Sequence, residues 1–266
     1  MARYSKEELE KQKQERLGEV GKNNFGTEVK IIEYNSYSDI IVEFQDEYKY
    51  KKRSSYEEFR KGKIKNPYDK EVCNVGFYGI GNYKSRDEDG KKTEVYKVWC
   101  DMLRRCYDPY ILNKEASYID CFVCEEWHNF QNFADWYYKN IYNCNNEKMY
   151  LDKDILYKGN KIYSPKTCVL VTRKINNLFT RRQNHRGEYP IGVCYHKENN
   201  NLIVHCNIGG KSNHLGCFPL NRPFQAFYTY KIFKENYIKQ VADEYKDLIP
   251  KKLYDAMYNY EVEIND

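Results

Sequence analysis

The chain of 266 residues lacks any apolar run long enough to cross a bilayer, and a mean hydropathy of -0.92 with 31% charged residues excludes a membrane-embedded protein. With only 7 Pro and 14 Gly, it is neither collagenous nor a low-complexity chain. The stretch 1–17 is charged and has no apolar leader core, so a cytoplasmic setting without a membrane partner is expected. In that setting the 10 Cys read as reduced thiols rather than a disulfide framework. What is abundant is aromatic: 28 Tyr and 12 Phe argue for folded cores and against disorder. The length suits two or three domains.

No excess of one charge dominates the whole, with 44 Lys and Arg against 39 Asp and Glu. The distribution is uneven, however. Residues 166–239 carry a net +9, residues 1–165 balance, and residues 240–266 carry -4. A basic block inside a neutral chain is the footprint of a polyphosphate partner, because each neutralised phosphate releases condensed counterions.

Periodicity predicts an α+β chain. A charged helix over 4–17, with Ser5 and Glu8 placed as a capping box, forms part of an appendage over 1–25. Runs at Val29–Tyr34, Ile40–Phe44 and Tyr48–Lys52, separated by turn residues, predict a small antiparallel sheet or barrel within 26–68. Apolar residues at three-and-four spacing predict helices over Glu94–Tyr107 and over 124–142. Then follow a strand over Tyr150–Leu156, a Gly159-Asn160 turn, a strand over Cys168–Thr172 and a helix from Arg173 to Phe179. Three further strands, near Ile191–Tyr195, Leu202–Ile208 and Lys211–Phe218, precede a long helix over Phe224–Tyr245 and an acidic tail that closes the domain.

The strand-loop-strand-helix segment resembles the ββα core of HNH homing endonucleases of phages and mobile elements, through Leu151-Asp-Lys-Asp154, Gly159-Asn160 and Val169–Leu178. Phage proteins of similar layout share the pattern Trp99-x-x-Met102-x-x-Arg105-Cys106-Tyr107 and the segment Tyr163-Ser-Pro165. The resemblance implies a ββα domain over 69–180, with Mg²⁺ or another divalent cation if it is catalytic. Asp152 then stands at the metal-binding position, Asn177 at the helix ligand with Asn176 as its alternative, and Thr167 or Cys168 at the orienting position. Lys153 stands where the family has its general-base His. An alkylammonium is protonated at neutral pH and suits a phosphate better than a water proton. His128 and His185 are alternative bases.

The segment 181–266 resembles the AP-two DNA-binding domain, through Pro190–Lys197, Leu202–Ile208 and His214–Phe218 followed by a helix. That family lays a three-stranded sheet into the major groove of double-stranded DNA. Alternation puts Val193, Tyr195, Leu202, Val204, Cys206, Ile208 and Leu215 against the helix. His196, His205, Asn207 and His214 fall on the opposite face and suit base edges, while Lys197, Lys211, Arg181, Arg182 and Arg186 suit phosphates. The Arg and Trp readers usual in the family are absent.

Two other motifs are read structurally. Cys121-x-x-Cys124 has no second pair of matching spacing, so buried thiols are expected rather than zinc. Gly76–Gly81 lacks the Lys-Ser/Thr of a phosphate cradle. The expectation is a double-stranded DNA-binding protein with an HNH-like core lacking its base. The alternatives are an active Mg²⁺-dependent homing or nicking endonuclease, or a counter-defence or regulatory interaction protein; whether it pairs with itself or another protein is left open.

Overall fold

A computed structural model describes residues 5–180, 188–264 and 266, which form a mixed α+β protein. Two compact units divide the chain: residues up to 91 with 125–133, and 92–124 with 134–266. This division cuts across the boundaries expected at 68 and 180.

In the first unit, helix α1 (Lys6–Arg16) starts at the capping box, where the Ser5 hydroxyl accepts from the Glu8 N–H at 3.2 Å and the Glu8 carboxylate accepts from the Ser5 N–H at 2.8 Å. It is docked rather than appended. Leu9 packs on the neighbouring core, and the Arg16 guanidinium lies 4.1 Å from the Tyr56 ring centroid while donating to the Tyr34 hydroxyl. Strands β1 (Val20–Lys22), β2 (Glu28–Ser36), β3 (Asp39–Phe44) and β4 (Lys51–Ser54) form an open antiparallel sheet in that order. Strand β1 thus lies inside the stretch expected to be an appendage. Alternation buries Val29, Ile31, Ile40, Val42 and Phe44 together with Tyr56 and Phe59 of helix α2 (Tyr56–Arg60). Strand β4 starts at Lys51 rather than Tyr48, because Asp46 Oδ1 accepts from the N–H groups of Tyr48 and Lys49 (3.1 Å each) and Lys49 takes φ 48°.

The helix expected over 124–142 is broken. Phe77 and the segment 128–130 exchange backbone hydrogen bonds (Phe77 N–H to His128 O and Phe130 N–H to Phe77 O, both 2.9 Å), which leaves a 3₁₀ turn at Glu125–His128 and a helix starting at Phe130. The glycine loop packs against this segment. A Cβ on Gly79 or Gly81 would come within 2.1 Å of the Asn129 amide or 2.3 Å of the Gln131 amide, and Gln131 bonds both backbone groups of Tyr83.

In the second unit, helix α3 (Glu94–Tyr107) buries Val95, Trp99, Met102, Leu103 and Cys106 along one stripe. Helix α4 (Pro109–Lys114), strand β5 (Phe122–Val123) and helix α5 (Phe130–Asn140, which begins in the first unit) follow. Strands β6 (Met149–Asp152) and β8 (Val169–Thr172) pair antiparallel with Asp152 opposite Val169, while β7 (Ile162–Tyr163) pairs parallel with β5. Helix α6 (Arg173–Phe179) completes the ββα unit over the span expected for it, and the Thr172 hydroxyl accepts from the Ile175 N–H at its start.

Strands β9 (Val193–His196), β10 (Asn201–Ile208) and β11 (Lys211–Phe218) form an antiparallel sheet, ordered β11-β10-β9. Gly209 and Gly210 make the second hairpin with φ of 57° and 81°. Helix α7 (Pro223–Glu244) covers one face, so Val193, Leu202, Val204 and Cys206 meet Ala226, Phe227 and Tyr230, and helix α8 (Lys251–Tyr258) packs on α7. Val262 of the acidic tail joins this core, as expected of a closing segment. Tyr195 pairs in register with buried Leu202 but is 47% exposed on the edge strand, where its hydroxyl donates to Asn200, so it is not a core residue. The sheet and the ββα segment belong to one unit: Lys174 of α6 bonds Glu244 of α7 at 2.7 Å, and Tyr245 bonds Glu147 at 3.2 Å.

Gly192 anchors this packing. Its φ is +79°, and a Cβ there would lie 2.1 Å from the Tyr230 ring. Gly192→Ala is expected to lower the unfolding free energy by about 3 kcal/mol, from overpacking added to left-handed strain, as read from urea midpoints by circular dichroism. Gly159→Ala, at φ +79° with no atom within 4 Å, should cost only about 1 kcal/mol.

Candidate nucleic-acid interface and cavity

The face of the β9–β11 sheet opposite α7 is largely polar. A bulge between Val204 and His205 shifts the register so that His205 opposes His214, Asn207 opposes Ser212 and Ile203 opposes Cys217. The two imidazoles lie 5.2 Å apart, His205 Nδ1 is 3.3 Å from the Ser212 hydroxyl, and His214 Nε2 is 3.7 Å from the Cys217 thiol. Asn207 and His214 are exposed, and His205 is half-buried. Exposed Lys197 and Lys211 sit in the two hairpins at opposite ends of β10. His196 instead closes a turn, where its Nδ1 accepts from the Asn199 N–H at 3.4 Å. Alternation had placed the two imidazoles together; the bulge adds Cys217, which sequence reading missed. Arg181, Arg182, Arg186 and His185 lie outside the described residues.

The second feature is a cavity of about 230 Å³ where β6 ends. Asp152 Oδ1 accepts from the N–H groups of Asp154 (2.9 Å) and Ile155 (2.8 Å). This turn stops the strand short of the expected Leu156 and sends Lys153 inward, where it is 7% exposed. The Lys153 ammonium donates to Asp154 Oδ2 at 3.2 Å and lies 6.0 Å from the Tyr163 ring centroid. Asn160 steadies the loop by donating to the carbonyls of Lys153 (2.6 Å) and Ile162 (2.7 Å).

No protein-family model matches this chain, and neither curated proteins nor solved structures provide a match. The site is therefore read from its own chemistry. The cavity wall includes Asp152, Lys153 and Asn176, whereas Asn177 is exposed and does not line it. The helix thus presents the alternative position. Thr167 donates to the Ile162 carbonyl at 2.6 Å, and Cys168 is buried with its thiol pushed up to about 12 by burial, so neither orients Lys153. That backbone role falls to Asn160 of the expected turn.

Sequence reading missed Arg105 as a wall residue, although its Trp-x-x-Met-x-x-Arg pattern was visible. From α3 it enters the cavity beside Tyr163 and Tyr118, with the Tyr118 ring centroid 5.6 Å away. Burial opposes its charge, but Tyr163, Tyr118 and Asp101 together favour it, and its pKa is raised. Burial raises the Tyr163 phenol, with Arg105 pulling the other way. Asp152 is pushed up to about 6, first by burial and then by the adjacent Asp154 charge, against the pull of its two backbone N–H groups.

These residues do not fit a resident divalent cation. Such an ion needs several oxygen ligands, yet one Asp152 oxygen is taken by the backbone, Asp154 is engaged by an ammonium, and two cations face the space. Among the described residues no group of three or more His, Cys, Asp or Glu could hold a metal.

The raised Asp152 pKa makes a stability prediction. Folding favours the protonated acid, so its contribution is full below about pH 4 and is lost as pH rises through about 6. Asp152→Asn, which mimics the neutral acid, should stabilise the protein at about pH 8 by about 1–3 kcal/mol, with the gain vanishing near pH 4, as followed by chemical denaturation at each pH.

Proposed function

We propose that this protein binds double-stranded DNA through the face of the β9–β11 sheet opposite α7, and that its ββα segment is an HNH-like core without the usual base, in the layout of phage or mobile-element endonucleases. The polar sheet face inside the basic block carries this reading. Ladder-paired His205 and His214 with Asn207 offer donors and acceptors of the kind that read base edges. The 8 residues of β10 extend about 25 Å at about 3.3 Å each, so Lys197 and Lys211 at its two ends can reach phosphates on both sides of a major groove. The net +9 of residues 166–239 supplies the counterion-release term. The described residues include no helix long and apolar enough to cross a membrane, and a cytoplasmic location belongs to the proposal.

Hydrolysis is not part of this reading, because the cavity holds an ammonium where a proton acceptor would be needed. Duplex affinity of the full chain should fall about 10³-fold between about 50 and about 200 mM salt, if about six phosphates are contacted. Replacing Asn207, Lys211 and His214 together by Ala should weaken binding about tenfold or more. A flat salt response would overturn the assignment. On supercoiled plasmid with Mg²⁺ or Mn²⁺, wild type should leave the circles intact; nicking by wild type that is lost in Asp152→Ala would replace this reading with the endonuclease one.

A further inference from the structure

The cavity at the end of β6 joins two kinds of wall. Its lining includes two cations from independent elements, Arg105 of α3 and buried Lys153 of the β6 turn, and the Asn176 amide of α6. It also includes rings, among them Tyr118, whose centroid is 5.6 Å from the Arg105 guanidinium, Tyr150 and Phe179, the last packed edge-on against Tyr260 at 4.8 Å. A planar guanidinium beside an ammonium suits a phosphate, while ring faces suit a base. Asp154 is already answered by Lys153, and Asp152 carries the remaining negative charge.

We propose that this cavity binds a single nucleotide bearing a terminal phosphate monoester, with the phosphate on Arg105 and Lys153 and the base among the tyrosine rings. The inference stands whether or not the sheet face binds duplex DNA. Free nucleotides and the 5′ end of a strand share this chemistry.

The full-length protein would be titrated by calorimetry with dTMP, thymidine and inorganic phosphate. The expected dissociation constant for dTMP is below about 1 mM, with thymidine and phosphate each about tenfold weaker or worse. Lys153→Met should weaken dTMP about tenfold, whereas Lys252→Glu on the exposed side of α8 should leave it unchanged. Asp152→Asn should tighten it at about pH 7.5 by about threefold, because a negative charge leaves the anion's surroundings. No dTMP heat, equal binding of dTMP and phosphate, or weaker binding in Asp152→Asn would each overturn the proposal. The comparison of the three ligands needs only wild type, so it holds even if Lys153→Met does not fold. In competition against dTMP, displacement by a 5′-phosphorylated single-stranded decamer but not its 5′-hydroxyl form supports a strand end as occupant. Displacement by neither supports the free nucleotide, and equal displacement by both overturns the monoester assignment.

Discussion

Two backbone N–H groups, those of Asp154 and Ile155, converge on Oδ1 of Asp152, and the chain turns there instead of continuing as a strand. The rest of the second unit's chemistry follows from that turn. It directs Lys153 into the interior, where desolvation of an ammonium is tolerated because Asp154 and the Tyr163 ring answer its charge. It holds a carboxyl where burial raises the pKa to about 6. The Tyr163-Ser-Pro165 segment supports the same arrangement. Tyr163 forms part of the wall, and the Ser164 carbonyl accepts from the N–H groups of Thr167 and Cys168 (3.2 and 3.0 Å), turning the chain into β8.

In the sheet, a comparable constraint is exerted by one extra residue. The bulge at Leu215 turns Phe218 toward the core beside Leu202 and leaves Cys217 outside with His214. The polar face therefore owes its composition to a local break in alternation as well as to alternation itself. Gly192 sets the opposite face, because only a residue without Cβ leaves room for the Tyr230 ring beneath β9.

Element positions were largely legible in the sequence wherever periodicity and caps agreed. Helix α1 shows its Ser5–Glu8 capping box and α3 its apolar stripe. Errors arose where side chains or distant backbone competed with local preference. The Asx turns at Asp46 and Asp152 displaced strand ends, and Phe77 drew residues 128–130 out of a helix whose aromatic spacing otherwise favoured continuation. The candidate site was legible in part. Asp152 and Lys153 were in view, but whether Asn176 or Asn177 faced them depends on the rotation of α6 against β6 and β8, which a one-residue ambiguity in sequence leaves open.

By itself, the sequence determined the α+β character, the basic block and the polar outer face of the last sheet, because each depends on residue type and short-range periodicity. The tertiary structure alone decided that Arg105, Lys153 and Asn176 share one cavity and that the sheet and ββα segment form a single unit. The reason is physical: those residues lie on different elements, and only packing of buried faces, with ion pairs such as Lys174 to Glu244, brings such elements together.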